Sequence, residues 1–251
     1  MQSEGSFIAP SSRIRSSKRM VKENFNLSVE EMEKAGVGFG HKVSKLHPKM
    51  KSYVSGVKNG VHVFDLERTA KEFQKALSFI SKLVVDGKSI VFVGTKIQLR
   101  SMIQNTAIEC GVPYVTERWL GGTFTNFETI QKRVNYFKDL EKKRETGELE
   151  KYTKKERLNF DREIASLKVK FEGIRNMTKL PDAVFVLGLD RDITCAREAK
   201  KKGIKIISIV DTNINPDIVD YIIPANDDAI SSVGYMLEKV KGCIINSKMS
   251  K

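Results

Sequence analysis

The sequence predicts an α/β fold: a doubly wound parallel sheet of about five strands, with an antiparallel helical hairpin inserted into it. Three observations predict it. From Val61 onward, strand-like and helix-like segments alternate, and repeated β-α units imply parallel strands with right-handed crossovers. The runs SIVFVG, DAVFVLG and IKIISIVD are almost continuously apolar, as strands covered on both faces are. Between the third of the strands counted from Val61, VPYVT, and the fourth, DAVFVLG, the period changes. Phe127, Ile130, Val134 and Phe137, then Phe160, Ile164, Leu167, Phe171 and Ile174, recur at alternating steps of three and four. That is the seam of a coiled coil.

The elements follow in order. LSVEEMEKAG reads as a short helix, capped by Ser28 with Glu31 at the capping-box position and ended by Gly36. A glycine-punctuated, basic loop comes next, through GVGFGHKVSKLHPKMKSYVSG. Gly36, Gly38 and Gly40 mimic a dinucleotide fingerprint, but that motif needs a strand before it and a helix after it. VHVFDL reads as a strand opening the β-α alternation, and a helix follows with Phe73, Leu77, Ile80 and Val84 on one face. After SIVFVG a helix is expected from Thr95 to Cys110, stopped by Gly111, and VPYVT is the next strand. DAVFVLG and IKIISIVD flank the helix ITCAREAKKKG. A short strand YIIPA and a final helix from about Asp227 complete the chain. In the inserted hairpin, Gly147 makes the turn, and Thr153 with Glu156 forms a second capping box. So narrow an apolar stripe suits paired helices better than a sheet cover, and the charge-dense middle suits solvent or another macromolecule.

The expected organisation is a flexible basic arm over residues 1–27, a sheet domain over 28–126 and 178–246, the coiled-coil hairpin over 127–177, and a tail over 247–251. The arm is rich in Ser and Arg without the apolar core of a secretory signal. It reads as a basic arm or the remnant of an organellar targeting segment. No apolar run approaches the roughly 20 residues that span a bilayer.

Charge narrows the function. Lys and Arg total 44 against 31 Asp and Glu, a net charge of +13, which points to a polyanionic partner. Cys110, Cys195 and Cys243 form no CxxC or Cys/His cluster and read as buried free thiols. His41, His47 and His62 lack partners at metal-ligand spacing, and no metal or cofactor is expected. His62 reads as structural. No nucleophile elbow, Cys/His pair or HExxH is present, so no catalytic residue is assigned. Asp190, Asp192, Asp211 and Asp217 fall at predicted strand ends, where they serve a magnesium site or, more simply, cap helices and turns. Gly94, Thr95 and Lys96 could hold a phosphate at a helix start, but no Walker pattern accompanies them.

The residues placed for RNA binding are His41, Lys42, Lys45, Lys49 and Lys51 in the early loop, Lys96 and Arg100 one turn apart at a helix start, Arg118 beside the single tryptophan, and Lys132 and Arg133 at the hairpin start. RWLGGTFTNFETI looks like a phosphate loop but reads better as a structural junction. Gly121 and Gly122 free the backbone for a sharp exit. Thr125 or Asn126 caps the helix, and Trp119 wedges the hairpin base against the sheet.

Taken in order, AGVGFGHKVSKLHPKM, VHVFDLERT, IVFVGTK, ERWLGGTFTNFETI, YTKKE, LPDAVFVLGLD, IVDTNINPD and IPANDDAI carry a resemblance. From about Ser28 to about Lys241 the chain resembles the bacterial-type small-subunit ribosomal protein number two family. The resemblance implies a flavodoxin-like sheet with a coiled-coil insertion. It also implies a non-enzymatic place on the solvent side of the small ribosomal subunit, near the junction of head and body. The implied partners are small-subunit rRNA, neighbouring ribosomal proteins and, in bacteria, the large mRNA-binding ribosomal protein number one. The implied location is a bacterial-type ribosome in the cytoplasm, with plastid or mitochondrial ribosomes as the alternative. The chain departs from the family pattern at Gly38, where a His is usual, at Leu46-His47, where Trp-Asn is usual, and at Ala225, where Gly is common. Two other readings stand beside it: a flavodoxin-like enzyme or receptor for a phosphorylated small molecule, and a coiled-coil adaptor that joins proteins without RNA.

Overall fold

A computed structural model describes residues 27–249; the expected N-terminal arm lies almost wholly outside them. The main sheet has five parallel strands: β4 (Ile90–Val93), β5 (Tyr114–Val115), β6 (Ala183–Val186), β7 (Lys205–Val210) and β8 (Tyr221–Pro224). Their spatial order is β5-β4-β6-β7-β8, so the chain starts near one edge, steps outward once, then crosses back and builds the other way. Successive side chains of a strand face opposite ways, which divides the core in two. Ile90, Phe92, Phe185, Ile207 and Ile209 pack on one face against α2 (Leu66–Val85), α3 (Arg100–Cys110) and α7 (Ile230–Met249). Val91, Val93, Val184, Val186 and Val210 pack on the other against α6 (Ile193–Lys202) and the base of the inserted helices. All three cysteines are buried thiols outside any disulfide, as expected.

The expected strand VHVFDL is real but belongs elsewhere. β3 (Val61–Phe64) is the central strand of a separate antiparallel sheet, between β1 (Phe39–Lys42) and β2 (Val54–Lys58). The cause is the Asn59-Gly60 pair. Lys58 faces Val61 across a two-residue loop, and Asn59 and Gly60 both have positive φ, 52° and 74°. That is the turn whose twist matches a β-hairpin. The stretch read as a basic loop therefore contains two strands, with short 3-10 turns at Val43–Lys45 and Pro48–Tyr53 between them.

The helix expected from Thr95 begins later. A 3-10 turn at Ile97–Leu99 precedes α3, so Lys96 lies outside the helix. The last helix likewise starts at Ile230 rather than near Asp227. It runs past the expected domain boundary, with Ser247 buried and its hydroxyl 2.9 Å from that of Ser81.

The two inserted helices are α4 (Phe127–Glu145) and α5 (Lys154–Phe171). Gly147, at φ 73°, turns the chain between them. The Thr153–Glu156 capping box is complete, each side chain meeting the other's backbone N–H. Arg144 near the end of α4 lies 4.0 Å from Asp161, and Gln131 near its start donates to the Met177 carbonyl at 2.6 Å, so the second helix returns alongside the first. Val134, Phe137, Ile164, Leu167, Phe171 and Ile174 are buried. Contrary to the expectation from the narrow stripe, this seam is continuous with the second face of the sheet. Among the described residues, no helix is long and apolar enough to cross a membrane.

Candidate nucleic-acid interface

Ligands of open parallel sheets bind beyond the carboxyl ends of the strands. Here that edge carries two basic segments of the chain itself. The first runs from His41 to Lys51. The His41 N–H donates to Thr212 Oγ1 at 3.0 Å, and the His47 N–H donates to the Thr212 carbonyl at 2.8 Å. Met50 is fully buried beneath it. The segment is thus laid across the end of β7, and Lys42, Lys45, Lys49 and Lys51 are exposed on it. Lys49 also pairs with Asp217, a contact between two exposed side chains that a phosphate can replace.

His41 differs from its lysine neighbours. Its side chain is 20 % exposed, with Nδ1 3.1 Å from Asp211 and Nε2 3.5 Å from Asp228. The ring is turned to carboxylates rather than outward, and its expected RNA contact is withdrawn. His47 caps the Pro48–Tyr53 turn, its Nδ1 accepting from the Lys49 N–H at 3.3 Å. His62 is buried.

Lys96 is the main correction. It is 3 % exposed, because it lies in the turn before α3 and points inward. Its ammonium sits 2.8 Å from Asp227, 2.8 Å from Asp228 and 3.6 Å from Asp190. Burial pushes the ammonium pKa down, but these carboxylates more than offset it and leave it raised. Burial pushes the Asp227 carboxyl up to about 7, against the pull of Lys96. A lysine so placed has no reach to a phosphate outside. Arg100 is half-buried; one terminal nitrogen pairs with the Glu117 carboxylate and the other donates to the Glu117 carbonyl at 3.1 Å. It buttresses the strand-end loop instead of facing outward.

The second basic segment follows β5. Arg118 is exposed, and Lys132 and Arg133 are exposed on the first turns of α4. Trp119 is buried, with its ring edge-on to Phe124 at 4.7 Å between centroids. Gly122 has φ 93°, a region open to glycine. Gly121 has neither positive φ nor a close neighbour, and the expected need for it is not met. Asn126 occupies the N-cap position without a side-chain cap; its Oδ1 accepts from Thr129 Oγ1 at 2.9 Å instead.

Sequence reading missed the residue that organises this loop. Glu198 of α6 is 7 % exposed. Its Oε1 accepts from the Gly122 N–H at 2.8 Å and Trp119 Nε1 at 3.3 Å. Its Oε2 accepts from the N–H groups of Phe124 at 3.0 Å and Thr125 at 3.2 Å, and from Thr125 Oγ1 at 3.2 Å. Burial pushes this carboxyl up, but the converging donors outweigh it and hold it below its ordinary value. The loop does cradle an anion, and the anion is the protein's own. The one clue in the sequence is a lone acid on the apolar side of α6, beside Cys195, Ala196 and Ala199.

The strand-end acids are also committed. Asp192 binds the Thr95 N–H and hydroxyl, each at 3.0 Å, with its carboxyl pushed up by burial. Asp217 meets Lys49, and the Asn215 side chain caps the turn into it at 3.1 Å, as expected of NPD. Hollows of about 230 and 290 Å³ lie at the amino ends of strands instead, beside Lys205 and Ile90. The carboxyl edge therefore presents lysines and an arginine outward and buries Asp192, Asp211 and Asp227, while Asp190, Asp217 and Asp228 stay exposed; the outward cations suit phosphate-rich surfaces.

A family model described as Ribosomal protein S2 matches residues 32–247. The small ribosomal subunit protein uS2 of Francisella tularensis subsp. novicida (strain U112) is 44% identical over 220 residues, covering 88% of this chain and 92% of the relative. Its counterpart of the same name in Francisella philomiragia subsp. philomiragia is 43% identical over 220 residues, with the same coverage.

Proposed function

The chain belongs to the ribosomal protein S2 family, and from that premise we propose how it is held in its particle. It is a structural constituent of the small ribosomal subunit and not an enzyme. In our reading, small-subunit rRNA meets the carboxyl edge of the sheet. Lys42, Lys45, Lys49, Lys51, Arg118, Lys132 and Arg133 contact phosphates there. Arg and Lys at a rigid edge fix the position of a nucleic acid without reading its sequence. The observation that carries this is the anchoring of the 41–51 segment to Thr212 by two hydrogen bonds, which presents its lysines from a fixed base.

The finer architecture belongs to the same reading. The strand order supports a flavodoxin-like sheet, and the three-four seam supports a coiled-coil hairpin over 127–177 set into a sheet domain. A neighbouring ribosomal protein, including the large mRNA-binding protein number one, is a fitting partner for exposed faces away from this edge. The small-molecule reading is weaker, because Lys96 is taken up by Asp190, Asp227 and Asp228 and Asp192 by Thr95.

Reversing three charges together, K42E, K49E and R118E, tests the interface. We expect normal folding by circular dichroism and failure to co-sediment with small subunits. Normal incorporation of this variant would place the RNA elsewhere on the protein.

A further inference from the structure

The antiparallel sheet of β1, β3 and β2 turns an apolar and basic face to solvent. Alternation along β3 separates its two faces: His62 and Phe64 are buried on one, while Val61 and Val63 are half-buried on the other. Phe39 of β1 lies opposite Val63, and Lys42 lies opposite Val61. Regular alternation would send Phe39 and Lys42 to opposite faces. They share one because β1 takes three steps between them where β3 takes two, the mark of a β-bulge, which re-aims side chains. On the other flank, Gly56 lies opposite Val63 and Lys58 opposite Val61. The outward face is therefore two rows, Phe39–Val63–Gly56 and Lys42–Val61–Lys58.

The first row is open. Phe39 is 48 % exposed, and a Cβ on Gly56 would meet nothing within 4 Å, so the space over the far end of the row is clear. The second row is basic. Lys42 and Lys58 are exposed on either side of Val61, and the three strands contain no Asp or Glu. Lys42 also begins the basic run of the 41–51 segment that Thr212 anchors. The face thus continues the edge assigned above to phosphates, and adds to it an aromatic ring.

We propose that this face holds an unpaired base of small-subunit rRNA stacked on Phe39, with the neighbouring phosphates on Lys42 and Lys58. An exposed ring on a sheet beside cations suits single-stranded RNA, because bases stack on the aromatic face while the backbone follows the positive charge. The inference rests on the reading that rRNA meets the carboxyl edge. It adds a preference for single strands, which phosphate contacts by themselves do not give. Two strand spacings of about 4.8 Å leave room for a flat ring system over the first row, and the missing side chain at Gly56 keeps that row low. An apolar protein partner fits less well, since it would bury Lys42 and Lys58 without opposite charges.

The test uses the full chain and two fluorescent RNA probes of equal length, single-stranded oligo(A) and a perfect duplex, read by anisotropy. We expect F39A and F39L to weaken single-strand binding about tenfold and to leave duplex binding unchanged, while F39Y and F39W bind both probes as wild type does. F39L keeps apolar bulk, so it decides the matter if F39A fails to fold. K58E should weaken single-strand binding without lowering the melting point. Wild type binding the single strand no better than F39L overturns the proposal, and so does an equal loss on both probes. If F39L binds the single strand as wild type does yet fails to co-sediment with small subunits, the face belongs to a neighbouring protein and the proposal also fails. The triple reversal K42E, K49E and R118E should weaken both probes; if it weakens neither, the phosphate-edge reading falls, and the Phe39 variants still report on stacking separately.

Discussion

Replacing Glu198 with Gln keeps the shape of the side chain and removes its charge. Each carboxylate oxygen now accepts at least two donors: Gly122 and Trp119 on one, Phe124 and Thr125 on the other. The amide of Gln offers one acceptor oxygen and one NH₂ donor. In either orientation, two N–H groups, one buried and one part-buried, face a donor. Hydrogen bonds to charged groups contribute about 1.5–3 kcal/mol each, and a stranded buried partner adds to the loss. We therefore expect E198Q to lose about 4 kcal/mol, near the upper end of single-site effects, and to melt about 10 °C lower. Urea unfolding followed by the fluorescence of Trp119, the single tryptophan, reads the change at the site itself. The pH dependence supplies a second check. The Glu198 carboxyl lies below its ordinary 4.5 in the fold, so its stabilisation is complete above that value and is lost as pH falls through the folded one. The gap between wild type and E198Q should narrow in acid. A gap under about 1 kcal/mol at neutral pH, or one that stays constant in acid, would refute the account of the loop as an internal anion cradle.

The remaining predictions concern charge and close packing. K96M leaves Asp227 and Asp228 without their shared cation and should cost about 3–5 kcal/mol; a melting point equal to wild type would return Lys96 to the RNA-facing set. A Cβ on Gly173 would lie 2.1 Å from the Tyr114 carbonyl oxygen, where the end of the hairpin meets the edge strand. G173A should therefore destabilise by about 1–3 kcal/mol and speed hydrogen exchange at the hairpin base; an unchanged exchange pattern would show that the base does not depend on this contact. RNA binding should weaken steeply with salt, and the triple charge reversal should reduce the log–log slope by about 2 to 3; an unchanged slope would mean that these side chains meet no phosphate.

Local chemistry determined a good part of this protein from the sequence alone. The apolar runs ending in Val93, Val186 and Val210 read as strands buried on both faces, because they are rich in Val and Ile and too short for a buried helix. The three-four spacing of Phe127 to Ile174 fixed the paired helices, and Thr153 with Glu156 fixed where the second begins. Net charge pointed to a polyanionic partner. Even the missed β2–β3 hairpin was written locally, in Asn59-Gly60. Tertiary structure decided what each polar side chain faces. Lys96 and Lys42 are chemically alike in the sequence, yet one lies within reach of three carboxylates and the other is exposed. Glu198 meets its donors from 73 to 79 residues away, and His41 meets Thr212 across 171. Such pairings follow from strand order and crossover, which bring distant segments to one edge. Periodicity and capping act over a few residues and carry no record of them.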